Sequence, residues 1–258
     1  MNSPTLDVRE SKKPLPKKAS DIINRRKEIE EWAIMSGPYT EDGFMVGIDL
    51  AHTQTGDSVF TANYLVDMPA ARQFLEEFNL QNAIDTLDAT EKDLDRLLRK
   101  GLANGWSNDV LAKNLADKFN DGYRGYRALR IARTEMTGVI NFGTHFTLEE
   151  EGVKHKRWIA TIDDATRDSH ANLDGEREPI DGQFNVGGYL AETPGDADLP
   201  PEERINCRCT LISGDFDVRR KKNYTTLFLR EHGARERQYK AAIARQFSKQ
   251  LHRILSHL

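Results

Sequence analysis

Two cysteines and one histidine carry the densest chemistry in this 258-residue sequence. Cys207 and Cys209 are its only cysteines, with Arg208 between them, and His170 stands upstream among Asp163, Asp164 and Asp174. Imidazole, thiolate and carboxylate are the donors that zinc takes in tetrahedral sites. A metal joining His170, Cys207, Cys209 and one of these carboxylates would cross-link a segment with few apolar residues of its own, and four protein donors would leave no open position for substrate. Such a zinc would be structural. Cys-x-Cys is a weaker signal than paired Cys-x-x-Cys. Without metal, the same residues make ordinary structure: His170 bonds a turn, the acids cap turns and the thiols pack as small hydrophobes. A third chemistry uses Asp163, Asp164 and Asp174 to hold a divalent cation while His170 acts as a base, which would make a hydrolase or nuclease centred on Asp164 and His170.

The elements that must bring these residues together are short. Lys154 to Ala160 reads as a strand ending in the turn formers Asp163 and Asp164, and Cys207 to Ile212 reads as another. Between them Gly175, Pro179, Gly182, Gly187, Gly188, Pro194, Gly195, Pro200 and Pro201 rule out a long helix. Residues 152–217 are therefore expected to form a small, loop-rich, mainly β module.

The rest of the chain reads as helix. After a polar arm with Lys12, Lys13, Lys17 and Lys18, an N-cap at Ser20 or Asp21 opens an amphipathic helix with Ile22, Ile23, Ile29 and Trp32, expected to stop near Ser36, Gly37 and Pro38. Residues 39–67 offer only short runs, Phe44 to Ile48 and Ser58 to Thr61, that fit strand or irregular loop. Met68-Pro69 opens a helix to about residue 79. Another, bearing Leu94, Leu97, Leu98 and Leu102, closes at Gly105. A third, capped by Ser107, ends at Gly122, and a long helix runs from about Arg124 to Glu150. Within it, Arg133-Thr134-Glu135 reads as an exposed turn with an internal ion pair. Beyond Lys221, Tyr239, Ile243, Phe247, Leu251, Ile254 and Leu258 recur at helical spacing. The expected fold is α+β: an arm and helix over 1–67, a helical block over 68–151, the β-rich module over 152–217, and a basic helical tail over 218–258.

Charge is distributed unevenly. The net charge is −4, but residues 149–217 carry 17 acidic and 7 basic side chains, whereas residues 219–258 carry 11 basic and 2 acidic ones. Arg219, Arg220, Lys221, Lys222, Arg230, Arg235, Arg237, Arg245, Lys249 and Arg253 would suit phosphate contacts without sequence preference. The alternative is an apolar stripe docked on protein, with the charges keeping its other face in water. No stretch approaches the length of apolar sequence that spans a bilayer, and the start has no signal-peptide core, so a cytosolic origin is expected.

Taken in order, these segments resemble a known family. Arg127 to Glu135, reading Arg-Ala-Leu-Arg-Ile-Ala-Arg-Thr-Glu, is similar to a helix of the Mu F-like phage head morphogenesis proteins. So are Trp158 to His170, Leu173-Asp174-Gly175, and the closing stretch with Pro200, Glu202, Glu203 and Ile205-Asn206-Cys207-Arg208-Cys209. The resemblance spans about residues 86–212, and Asp164, His170, Cys207 and Cys209 are the positions matching its motif, which makes them the expected ligands of a structural metal. It implies a minor head protein of a tailed phage that is not an enzyme. Such a protein is present in few copies, associated with portal or major capsid protein and with packaged double-stranded DNA, and active in head assembly or genome packaging and delivery. Its implied location is the head interior or portal vertex of the virion, and the host cytoplasm during assembly. A DNA-binding adaptor unrelated to virions is a further alternative.

Overall fold

The computed structural model describes residues 14–56, 69–216 and 221–258, and its architecture is α+β. Asn24 accepts a hydrogen bond from Lys27 N and caps α1, Arg25–Thr55. The helix does not stop at Pro38. Proline removes the bond to the carbonyl four residues earlier, here on Ile34, which is 77% exposed and can be hydrated instead. The run from Phe44 to Ile48, expected as strand or loop, is helical because α1 needs its glycines for close packing. A Cβ on Gly47 would lie 2.2 Å from Ile140 O, and one on Gly143 would lie 2.3 Å from Phe44 O. Thr144 Oγ1 donates to Gly47 O at 3.1 Å across this contact. Ser58 to Thr61 and Met68 lie outside the described residues, as does the arm before residue 14.

The next two expected helices are one, α2, Pro69–Ala103, because Ala83 and Leu87 continue the buried stripe between Leu75 and Leu94. Ser107 caps α3, Asn108–Asp117. Gly122 does not end the run: residues Lys118–Arg127 form a π-helical segment leading into α4, Ala128–Glu150. The wider turn keeps both Phe119 and Tyr123 buried near Phe247, with ring centroids 6.2 and 4.9 Å away. Phe247 belongs to α7, Lys221–Leu255, which packs on α1, α4 and the π segment. Its apolar stripe, including Phe228, Tyr239, Ile243 and Ile254, is buried, so the basic helix is part of the bundle core. Among the described residues no helix is long and apolar enough to cross a membrane.

The module hangs on α4. Strands β1, His155–Ile159, β2, Arg177–Pro179, and β5, Thr210–Ser213, form an antiparallel sheet in the order β2-β1-β5. Strands β3, Phe184–Val186, and β4, Tyr189–Ala191, form a hairpin. Two one-turn helices, α5 (Asp168–Ala171) and α6 (Pro201–Arg204), complete it. Alternation along the strands splits the sheet between two cores. Trp158 and Leu211 face the module's own apolar cluster, while Ile159 and Ile212 join that of the helices.

Candidate metal centre

The segment holding the cysteines precedes β5 rather than lying in it, and side chains of α4 fix its backbone. Thr134 Oγ1 accepts from Asn206 N at 3.1 Å, and Thr137 Oγ1 donates to Cys207 O at 2.7 Å. Asn141 Nδ2 donates to Cys209 O at 3.0 Å and to Pro194 O at 3.0 Å, while its Oδ1 accepts from Leu211 N at 2.8 Å. Positions 134, 137 and 141 share one helix face. The face is a polar ladder matched to an irregular strand, and leaving one such buried group unpaired would cost about 1–3 kcal/mol. Asn206 takes the left-handed conformation, φ 62°, at the entry to this segment. Thr161 Oγ1 donates to Arg208 O from the other side at 2.7 Å.

With its backbone held this way, the segment directs both sulfurs at one ring. His170 Nδ1 lies 3.4 Å from Cys209 Sγ and 3.6 Å from Cys207 Sγ. Nε2 lies 3.1 Å from Glu203 Oε2, which also accepts from Ser169 Oγ at 2.8 Å. A proton on Nε2 donated to Glu203 leaves the Nδ1 lone pair facing the thiols. Trp158 packs its ring edge-on against the imidazole, and His170, Cys207 and Cys209 are only 2%, 2% and 3% exposed. The hydrogen bond between the sulfurs pushes the Cys207 thiol up and pulls Cys209 down. Both cysteines are free thiols.

Among the described residues this trio is the one group of three or more possible metal ligands. Asp164 is not part of it. It sits exposed on the turn after β1, whose shape is set by Asp163: that carboxylate accepts from Ala165 N at 2.9 Å and pairs with Arg208, which holds it well below the usual carboxylate range. Asp174 instead accepts from Ala160 N at 3.0 Å. Asp163 thus serves a turn and an ion pair, Asp174 serves a strand end and Asp164 faces solvent, so the three acids do not converge on a hydrolytic cation site. Sequence reasoning names Glu203 and Thr134 only as members of family-like stretches, without these roles, and does not reach Thr137 or Asn141. The signal that could have found the last three is a row of polar residues on the inward face of an otherwise apolar helix. Thr134 and Glu135 are 8% and 3% exposed rather than on the surface, and Arg133 pairs with Glu236 of α7 at 3.1 Å instead of within its own helix.

The basic residues divide. Arg219 and Arg220 lie outside the described residues, and Lys221 and Lys222 open α7 with side chains that are likewise not described. Arg235 bonds Asp42 at 3.0 Å and also pairs with Glu231, and Arg253 bonds Glu28 at 2.7 Å and Glu31 at 2.9 Å, so both fasten α7 to α1. Arg230 pairs with Glu231 at 2.9 Å. Arg237, Arg245 and Lys249 are exposed along one line of α7.

Residues 92–212 match the family described as Phage Mu protein F like protein. Over 116 residues, 43% of this chain, the sequence is 36% identical to an Enterococcus faecalis protein named NAD(+)--arginine ADP-ribosyltransferase EFV, of which that stretch is 23%. Over 144 residues, 52% of this chain, it is 35% identical to an uncharacterized protein of Haemophilus influenzae, of which that stretch is 30%. The chain therefore spans less than a third of the length of either relative. No solved structure matches it.

Proposed function

We propose, from the premise that residues 92–212 carry a domain of the phage Mu F-like family, a family related to phage heads, that this chain is a minor head protein which binds and positions partners and does not catalyse a reaction. The domain match is the observation that carries the proposal. Two features of the fold support it. The only grouped metal-type donors among the described residues are enclosed, with no exposed face for a substrate to approach. The free charge on α7 is basic and linear, suited to phosphates or an acidic protein surface. In this reading the helical bundle docks on portal or major capsid protein at the portal vertex, and Arg237, Arg245 and Lys249 face packaged DNA. The transferase activity named for the Enterococcus faecalis relative is not part of the proposal, since the aligned stretch is under a quarter of that protein.

The test is quantitative mass spectrometry of purified particles from a phage or induced prophage that encodes this chain. Peptides of the chain should be present, at a small fraction of the molar amount of the major capsid protein. Its absence from both DNA-filled and empty heads would overturn the proposal.

A further inference from the structure

We propose that Cys207, Cys209 and His170 bind one zinc ion through both thiolates and imidazole Nδ1, with Glu203 orienting the ring from outside the coordination sphere. The proposal concerns this chain's own donors and does not depend on the head-protein reading.

Spacing is the first argument. Zinc bonds of about 2.0–2.1 Å to nitrogen and 2.3 Å to sulfur at tetrahedral angles put N and S about 3.5–3.6 Å apart. The two N···S separations here are 3.4 and 3.6 Å. The three donor atoms all lie within 4.8 Å of one another, close enough to be grouped around one ion.

Donor chemistry is the second. Two sulfurs and one imidazole nitrogen are soft or borderline ligands, which favour zinc over magnesium or calcium. Without an ion, a buried imidazole nitrogen would have only thiols for partners, and these are weak donors and acceptors.

The third argument is the ring's far side. Histidines that bind metal through one nitrogen commonly give the other N–H to a carboxylate, which fixes the tautomer and the ring plane. Glu203 stands 3.1 Å from Nε2 and is itself held by Ser169. Because Nε2 and Nδ1 point to opposite sides of the ring, Glu203 positions the ligand and does not supply a fourth donor.

Three protein donors is the number found in zinc sites that keep a position open. Here the donors are 2–3% exposed, and among the described residues no further carboxylate, thiol or imidazole joins them. A small fourth ligand such as water therefore completes the shell, and the ion serves as a cross-link. It ties α5 to a segment 37 and 39 residues further along, in a module whose own apolar cluster is small.

The experiment uses the full chain, purified under reducing conditions from zinc-supplemented cells. Metal analysis should find about one zinc per chain. Replacing it with Co2+ should give thiolate-to-cobalt charge-transfer bands in the near-ultraviolet and tetrahedral bands in the visible; Cys209→Ser should weaken the former and the double variant Cys207→Ser/Cys209→Ser should abolish it. Glu203→Gln should keep the far-ultraviolet circular dichroism of the wild type yet weaken zinc roughly 10- to 100-fold in chelator competition. Reduced wild-type protein that holds no zinc and gives no cobalt bands would overturn the site. A wild-type affinity in Glu203→Gln would overturn the role of Glu203. The wild-type cobalt spectrum decides the site even if the cysteine variant does not fold.

Discussion

Glu135 lies in the seam between α4 and α7, where Tyr239 donates a hydrogen bond to its carboxylate. Burial pushes its pKa up to about 7, a shift the Tyr239 hydrogen bond only partly offsets. Between the ordinary glutamate value and 7 the folded chain therefore holds this proton more tightly than the unfolded chain does, so stability falls as pH rises through that window. Glu135→Gln removes the titration while keeping an oxygen for Tyr239. Chemical denaturation should show the variant more stable than wild type by up to about 3 kcal/mol at pH 8, and nearly equal to it at pH 4. An equal difference at both pH values would contradict the assignment. The neighbouring residues show what a sequence reveals at this scale. His170, Cys207 and Cys209 attract notice by their chemical type, and the structure brings the three together. Glu203 and Asn141 have common side chains, and their roles depend on which backbone or ring atom arrives beside them. Asp164 stands out through its place in the motif, but a turn fixed by its neighbour Asp163 points it into solvent.

Helices are legible wherever an apolar stripe runs without interruption, as in α3, α4 and α7. They are hidden wherever glycine or proline looks like punctuation. Pro38, Gly43 and Gly47 all lie inside α1, because the glycines let α4 approach its backbone and the proline frees a carbonyl on the solvent side. Local propensity is outweighed by a packing contact that no local pattern announces. The same reasoning sorts the charges of α7. Arg235 and Arg253 are committed to α1, whereas Arg237, Arg245 and Lys249 are exposed and are the residues proposed to face DNA. Changing those three to glutamine should leave the fold intact. It should reduce the slope of log affinity for double-stranded DNA against log salt by about 2–3, since each phosphate that a cation neutralises adds about 0.9 to it. An unchanged slope would show that this face does not meet DNA.

At the scale of the whole molecule, α4 belongs to both halves. One side packs on α1 and α7, and the other holds the cysteine segment and β5 through Thr134, Thr137 and Asn141. The β1–β5 sheet contributes Ile159 and Ile212 to the helical core, while Trp158 and Leu211 close the module. The sequence marks a change of pattern near Gly152, which suggests a boundary, but it does not show that the two parts share a helix and a sheet. The proposed role of positioning partners requires bundle and module to behave as one body. Native-state hydrogen exchange under increasing denaturant measures it directly. Amides of β5 and of the middle of α4 should converge on one opening free energy with the same denaturant dependence. If β5 exchanged through a much smaller opening, independent of denaturant, while α4 stayed protected, bundle and module would be separate bodies and the account would fail.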